Sequence, residues 1–349
     1  MSTFQHRAVL AEQAHVPDNM RPAKDGTIVF LPAENRSTGH FSKTVERVQG
    51  SGATFENDIS ERTTGIIWLD PSPKNLPLLE KTLKETEHIK WIQLPMAGVN
   101  AYSQLIMSDV GKHRLWTSAK GAYAQPVAEH ALMLSLALLR FIPRRVLASS
   151  WGSPAAESLF GQNVLVIGAG GIALSLIDQL APFSCSITVL RRSVDGAWPE
   201  HLKHVKIDSF TNLDKYLPHA GIVYLAAAAT KETANLFTLK QFENMQRKAI
   251  IVNVARGELI KTDDLAIALE KNLILGAGLD VTAPEPLPED HKLWQLAKDG
   301  EKNLIITPHT ADTPEQIIPL LSQRWNDNIQ AVLSGSGKFV GVIDNAQGY

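Results

Sequence analysis

Short apolar runs punctuate the chain at regular intervals. Residues 27–31, 65–69 and 90–94 are β-branched and apolar, are bounded by charged or turn residues, and read as strands. A polar stretch of helical character, 75–88, lies between the second and third. This alternation predicts a small α/β unit over roughly the first 115 residues. The segment 126–142 predicts a long helix: Pro126 suits a first turn, and Arg140, Arg144 and Arg145 gather at the far end, where the helix dipole favours cations. From Gly161 a second series begins, with strands at 163–167, 186–190, 221–225, 249–252, 275–279 and 304–306, and a helix running to about Leu180 after the first of them. Strands separated by helix-length segments predict a parallel sheet covered on both faces. The Gly-rich end of the chain, 334–349, is expected to wrap back over the first unit.

A length of 349 residues is too great for one hydrophobic core and comfortable for two domains. The net charge of −2 gives no support for nucleic acid or an anionic membrane surface as a partner. The longest apolar run, 131–139, is too short to span a bilayer and reads as a buried helix. Glu12 and Asp18 interrupt the amino-terminal stretch, where no secretory leader is visible, so a cytoplasmic setting is expected. The single cysteine, Cys185, offers neither an internal disulfide nor a zinc cluster, and its apolar context predicts a buried, inert thiol; no metal site is expected.

Chemistry first shows at Gly168-Ala169-Gly170-Gly171-Ile172-Ala173, which fits the G-x-G-x-x-G/A pattern. Gly168 allows a tight turn, Gly170 lets the backbone approach a pyrophosphate, and the small Ala173 permits close helix–strand packing. The loop follows a buried strand and opens an amphipathic helix whose first N–H groups face an anion, which is the setting the motif requires. The residue type at the end of the next strand then selects the dinucleotide. An acid would hold the ribose 2′-hydroxyl of NAD; here the strand runs instead into Arg191-Arg192-Ser193. Two guanidinium groups suit a 2′-phosphate, with Ser193 adding a hydrogen bond, so NADP(H) is the expected cofactor and NAD(H) the secondary one.

Three further segments place polar residues just past strands, where an open α/β sheet lines its ligand crevice. The first, from Ile250 through Asn253 and Val254 to Arg256 and Gly257, offers an arginine to an anionic substrate. The second carries Asp280 at a strand end and Glu285 between Pro284 and Pro286. The third, Thr307-Pro308-His309-Thr310-Ala311, sets a histidine before a small-residue turn.

These segments, with Pro126-Val127-Ala128-Glu129-His130 and the turn Thr230-Lys231-Glu232-Thr233, resemble the D-isomer-specific 2-hydroxyacid dehydrogenase family over about residues 126 to 311. The resemblance implies that Arg256 binds the substrate carboxylate and steadies the carbonyl oxygen. It implies that His309 exchanges a proton with that oxygen and that Glu285 hydrogen-bonds His309 and favours its charged form. Asp280 would orient the nicotinamide carboxamide. Ala169, Gly171, Ile172, Thr230 and Val254 would line the dinucleotide beside the glycines. The other histidines, His130 and His291 included, are expected to be structural.

By the same resemblance Ala97, Gly98 and Val99 would offer backbone N–H groups to the substrate, with Leu94, Met96 and Tyr123 making the pocket partly apolar. Two departures leave the substrate subgroup open. Ala226-Ala227-Ala228-Ala229 stands where many members carry His-x-Pro, and Asp312 where many carry glycine. The fold expected is two Rossmann-like α/β domains. A doubly wound parallel-sheet cofactor domain, 119–311, is inserted into a smaller flavodoxin-like substrate domain, 1–118 with 312–349, the cleft between them closing on substrate. The function expected is reduction of a small 2-keto acid by a homodimer. Two alternatives share the resemblance. Formate dehydrogenase resembles a Gln–His pairing, against which Glu285 argues. A dinucleotide-sensing protein of the C-terminal-binding-protein type lacks support from any long disordered tail or basic stretch.

Overall fold

In the computed structural model, which describes residues 13–195, 198–298, 300, 302–346 and 348, the apolar runs become the strands of two parallel sheets. The chain divides into two units, Met1–Tyr123 with Thr313–Tyr349, and Ala124–Asp312. The parallel-sheet α/β class expected from the sequence is the one observed.

The first unit contains β1 (Gln13–His15), β2 (Thr27–Leu31), α1 (Gly39–Gln49), β3 (Phe55–Glu56), β4 (Thr63–Trp68), α2 (Leu76–Glu85), β5 (Trp91–Gln93) and β6 (Leu115–Thr117). Its five-stranded sheet has the order β3-β2-β4-β5-β6, the flavodoxin-like order. Alternation along the strands feeds two cores. Ile28, Phe30, Ile67 and Trp91 point to one face, and Val29, Ile66, Trp68 and Ile92 to the other.

The second unit begins with α3 (Ala124–Leu139) and the short α4 (Ile142–Val146). It continues through β7 (Asn163–Ile167), α5 (Gly171–Leu180), β8 (Ser186–Arg191), β9 (Lys206–Ser209), β10 (Ile222–Leu225), β11 (Ile250–Asn253), β12 (Gly276–Leu279) and β13 (Asn303–Ile306). The sheet order, β13-β12-β11-β10-β7-β8-β9, reverses direction between β7 and β10, the point at which a doubly wound sheet opens a crevice. Helix α3 lies close on this sheet, since a Cβ at Gly278 would stand 3.0 Å from Leu134 Cβ.

The helix expected over 126–142 stops at Leu139. A proline has no N–H to continue the ladder and its ring crowds the carbonyl four residues back. With Pro143 ahead, Phe141 turns left-handed at φ 54°, α4 starts anew, and the Leu139 carbonyl accepts from the Glu157 amide instead.

The chain then returns to the first unit as α6 (Pro314–Ser334) and β14 (Lys338–Val340), which pairs antiparallel with β1. Leu321, Trp325, Ile329 and Val332 form an apolar stripe on α6 in the core shared with Phe41 and Ile67. Asn328 Nδ2 donates to Gln93 Oε1 at 2.7 Å, so the buried polar side chains of helix and sheet satisfy one another. Among the described residues, no helix is long and apolar enough to cross a membrane.

Candidate active site

The parallel register of the second unit builds the site. Ile167 pairs with Leu225, Leu225 with Asn253, Asn253 with Leu279, and Leu279 with Ile306. The carboxyl ends of five strands are therefore level, and the residues that follow them emerge along one edge. These are the Gly168 loop, the Ala226 turn, Arg256, Asp280 and His309.

At the glycine loop, Gly168 has φ 112°, and a Cβ there would meet the Ala226 carbonyl oxygen at 2.4 Å, so only glycine fits. Around Gly170, the N-cap of α5, no described heavy atom beyond its immediate chain neighbours and its own helix backbone lies within 4 Å of where a Cβ would stand. This leaves open backbone before a helix N-terminus whose first N–H groups have no intrahelical partner, and the loop fits a pyrophosphate. Ala173 is fully buried, while Ala169, Gly171 and Ile172 are half-buried. Thr230 belongs to a turn closed by Thr233, whose hydroxyl accepts from the Thr230 amide at 2.8 Å.

Past β8 the two arginines part. Arg191 is half-buried, donates from Nη2 to the Val194 carbonyl at 2.9 Å and lies 5.6 Å from the ring centroid of Trp198. Arg192 and Ser193 are exposed. Both stand at the strand end, Arg191 tied into its own loop and Arg192 the more exposed of the two.

Arg256 rides on a turn that Asn253 organises. The fully buried Asn253 accepts from the Ala255 amide at 3.1 Å and donates to the Arg256 carbonyl at 2.9 Å. The next residue, Gly257, packs so tightly that a Cβ would lie 2.0 Å from the Thr282 carbonyl. Arg256 itself is half-buried, with Nη1 donating to the Ala255 carbonyl at 2.6 Å. Val254 is buried in the core, so its side chain packs against the sheet, and any ligand contact from it runs through its backbone.

His309 and Glu285 meet directly: Nδ1–H of the imidazole donates to Glu285 Oε1 at 2.5 Å, with the side chains 50% and 41% exposed. That engagement leaves Nε2 as the ring nitrogen available to a ligand. Asp280 faces inward, its side chain 1% exposed. Its Oδ1 accepts from Thr307 Oγ1 at 2.6 Å and from the Thr310 amide at 2.9 Å, and its Oδ2 from the Ala311 amide at 3.1 Å. The carboxylate expected to face a nicotinamide is thus bonded into the loop that carries His309.

Sequence reasoning missed Asn253 as an organiser of the Arg256 turn. It also set aside His130, whose Nε2 lies 2.9 Å from Thr307 Oγ1. In the first unit, Ala97 is exposed and Gly98 half-buried in the turn after β5, whereas Val99 turns its side chain into the core beside Ile92 and Tyr102. Tyr123 donates from its hydroxyl to the Pro95 carbonyl at 2.9 Å, and Leu94 is fully buried. Cys185 is half-buried rather than fully enclosed, its Sγ donating to the Leu159 carbonyl at 3.3 Å.

A family model described as D-isomer specific 2-hydroxyacid dehydrogenase, NAD binding domain, matches residues 131–311. An uncharacterized protein in the proB 3′ region of Corynebacterium melassecola is 32% identical over 321 residues, covering 88% of this chain and 97% of that protein. The glyoxylate reductase of Thermofilum pendens is 28% identical over 228 residues, covering 63% of this chain and 65% of that enzyme. Among solved structures, the D-isomer specific 2-hydroxyacid dehydrogenase from Xanthobacter autotrophicus Py2, in complex with NADPH and MES, matches with a TM-score of 0.73 at 22% identity, covering 93% of this chain and 99% of that one.

Proposed function

The chain belongs to the D-isomer specific 2-hydroxyacid dehydrogenase family, and from that premise we propose that it reduces a small 2-keto acid to the D-2-hydroxy acid with NADPH. The observation that carries this reading is the His309–Glu285 pair, a proton donor oriented by a carboxylate on the same sheet edge as an arginine and an anion-binding helix start.

When bound, the nicotinamide supplies the hydride. The protein's own residues supply the rest. Gly168, Gly170 and the N-terminus of α5 receive the pyrophosphate. Arg192, with Ser193, holds the 2′-phosphate, and Arg191 keeps the loop in shape. Arg256 binds the substrate carboxylate and fixes the keto acid in one pose, which converts an encounter into an oriented reaction. As C2 gains electron density, its oxygen takes on alkoxide character, and His309 Nε2 delivers a proton to it. Glu285 keeps the ring pointed and balances its charge. In the reverse direction the same nitrogen removes the hydroxyl proton.

The exposed apolar side chains of Ile142, Val146, Trp151 and Phe160, Trp151 being 97% exposed, support a homodimer formed through this unit. Light scattering after size-exclusion chromatography tests that state.

The catalytic reading is tested with His309→Asn. Keto-acid-dependent oxidation of NADPH should fall by about a hundredfold or more, with NADPH binding retained. Undiminished turnover would remove His309 from the chemistry. Reduction of the dinucleotide by formate, with every keto acid inert, would transfer the chain to formate oxidation.

A further inference from the structure

His309 occupies a backbone conformation that it would not adopt by itself. Its φ is 52°, a left-handed value that a non-glycine residue adopts only under strain. What holds it there is mostly one residue. Asp280 accepts from the His309 amide through its backbone carbonyl at 2.9 Å. It accepts from Thr307 Oγ1, the Thr310 amide and the Ala311 amide through its carboxylate. The residues on both sides of His309 are therefore tied to a single buried anion.

That anion connects onward to α3. His130 Nε2 is 2.9 Å from Thr307 Oγ1 and 3.5 Å from Asp280 Oδ1. The direction of the chain follows from donor counting. A threonine hydroxyl has one hydrogen, and its 2.6 Å contact is with a carboxylate, which only accepts. The hydroxyl therefore receives its second bond from His130 Nε2–H. The sequence His130 Nε2–H to Thr307 Oγ1–H to Asp280 Oδ1 is a half-buried relay, ending on a buried carboxylate, in which each bond polarises the next. One end stands on a 16-residue helix, and the other holds a loop.

We infer that His130 is a positioning residue for the reaction: through Thr307 it anchors Asp280 to α3, and through Asp280 it fixes the backbone from which His309 aims its ring. The inference rests on the keto-acid reductase reading for its kinetic part only. His130 exchanges no proton with substrate in this scheme, and Thr307 serves solely as the link.

The test uses His130→Leu, Thr307→Val, the double variant and His130→Gln, whose side-chain amide carries an N–H near the position of Nε2. Misaiming a reacting group by about an ångström costs on the order of a hundredfold. His130→Leu and Thr307→Val are each expected to lower kcat by roughly 10- to 100-fold with little change in the KM for NADPH. The double variant should be no worse than either single one, because both break the same chain. His130→Gln should recover most of the lost kcat. Independently of turnover, the 1H–15N signals of the His309 ring should move or broaden in His130→Leu and return in His130→Gln.

Additive losses in the double variant would overturn the inference. So would an unmoved His309 ring signal, or no recovery by glutamine with melting temperature falling in parallel with activity. A wild-type protein inert toward every keto acid would defeat the functional reading alone, and the ring signals would still decide the positioning role.

Discussion

His309 Nδ1 and Glu285 Oε1 stand 2.5 Å apart and join the loop after β13 to the loop after β12. Neither residue reaches the other through its own strand. The pairing of Leu279 with Ile306 brings the two loops level, and the carboxylate then fixes which ring nitrogen faces outward. Glu285→Gln keeps the shape and a hydrogen-bond acceptor but removes the charge. Its kcat for keto-acid reduction is expected to fall by about 10- to 100-fold with unchanged NADPH affinity, read from steady-state kinetics and from the fluorescence of bound NADPH. Equal activity of the glutamine variant would show that the charge at Glu285 contributes nothing.

Arg256 is presented by a turn rather than by its own packing, so two substitutions should separate recognition from presentation. Arg256→Lys retains the charge but loses the planar fork, and kcat/KM for the keto acid should fall by roughly a hundredfold. Asn253→Ala should also raise the KM for the acid. It should in addition lower the melting temperature, because the Ala255 amide and Arg256 carbonyl lose a buried partner worth about 1–3 kcal/mol. Kinetics combined with thermal denaturation distinguishes the two patterns.

The unequal surroundings of Arg191 and Arg192 lead to unequal outcomes. Arg192→Ala should weaken NADPH by roughly 10- to 150-fold and leave NADH unchanged, since one charged hydrogen bond to a phosphate contributes about 1.5–3 kcal/mol. Arg191→Ala should weaken both dinucleotides alike, because it releases the Val194 carbonyl and Trp198 and so loosens the loop. Titration of each variant with both cofactors reads the difference.

Burial pushes the Cys185 thiol above its ordinary range. The thiolate is therefore disfavoured in the fold, and the unfolded chain loses that proton at lower pH. The contribution is fully present at neutral pH and is lost as pH rises through the folded value, so Cys185 weakens the fold on the alkaline side. An aromatic disulfide reagent at pH 8 should react slowly with the native protein and rapidly after denaturation. Equal rates would contradict this assignment.

The strands were legible where four consecutive apolar residues stood before a turn residue, as in Thr27–Leu31 and Asn163–Ile167, whose bounds match the observed strands. Lys206–Ser209 escaped because an edge strand carrying Lys206 and Asp208 shows no apolar run. The helix Pro314–Ser334 was hidden for another reason. Its buried face includes Arg324 and Asn328, which read as surface, and it carries Pro319. At the site, residues directly after strands could be read because a parallel sheet delivers them to one edge. The residues that steady them could not. His130 and Thr307 lie 177 positions apart, and nothing local in either segment announces the other.

The most direct measurement is the oxidation of NADPH and of NADH against a panel of glyoxylate, hydroxypyruvate, pyruvate and larger aliphatic or aromatic 2-keto acids. Turnover with at least one acid, faster with NADPH and lost in His309→Asn, is the result expected of a keto-acid reductase whose proton donor is His309. Tight dinucleotide binding with no turnover of any acid would contradict it and leave a dinucleotide-binding protein in its place.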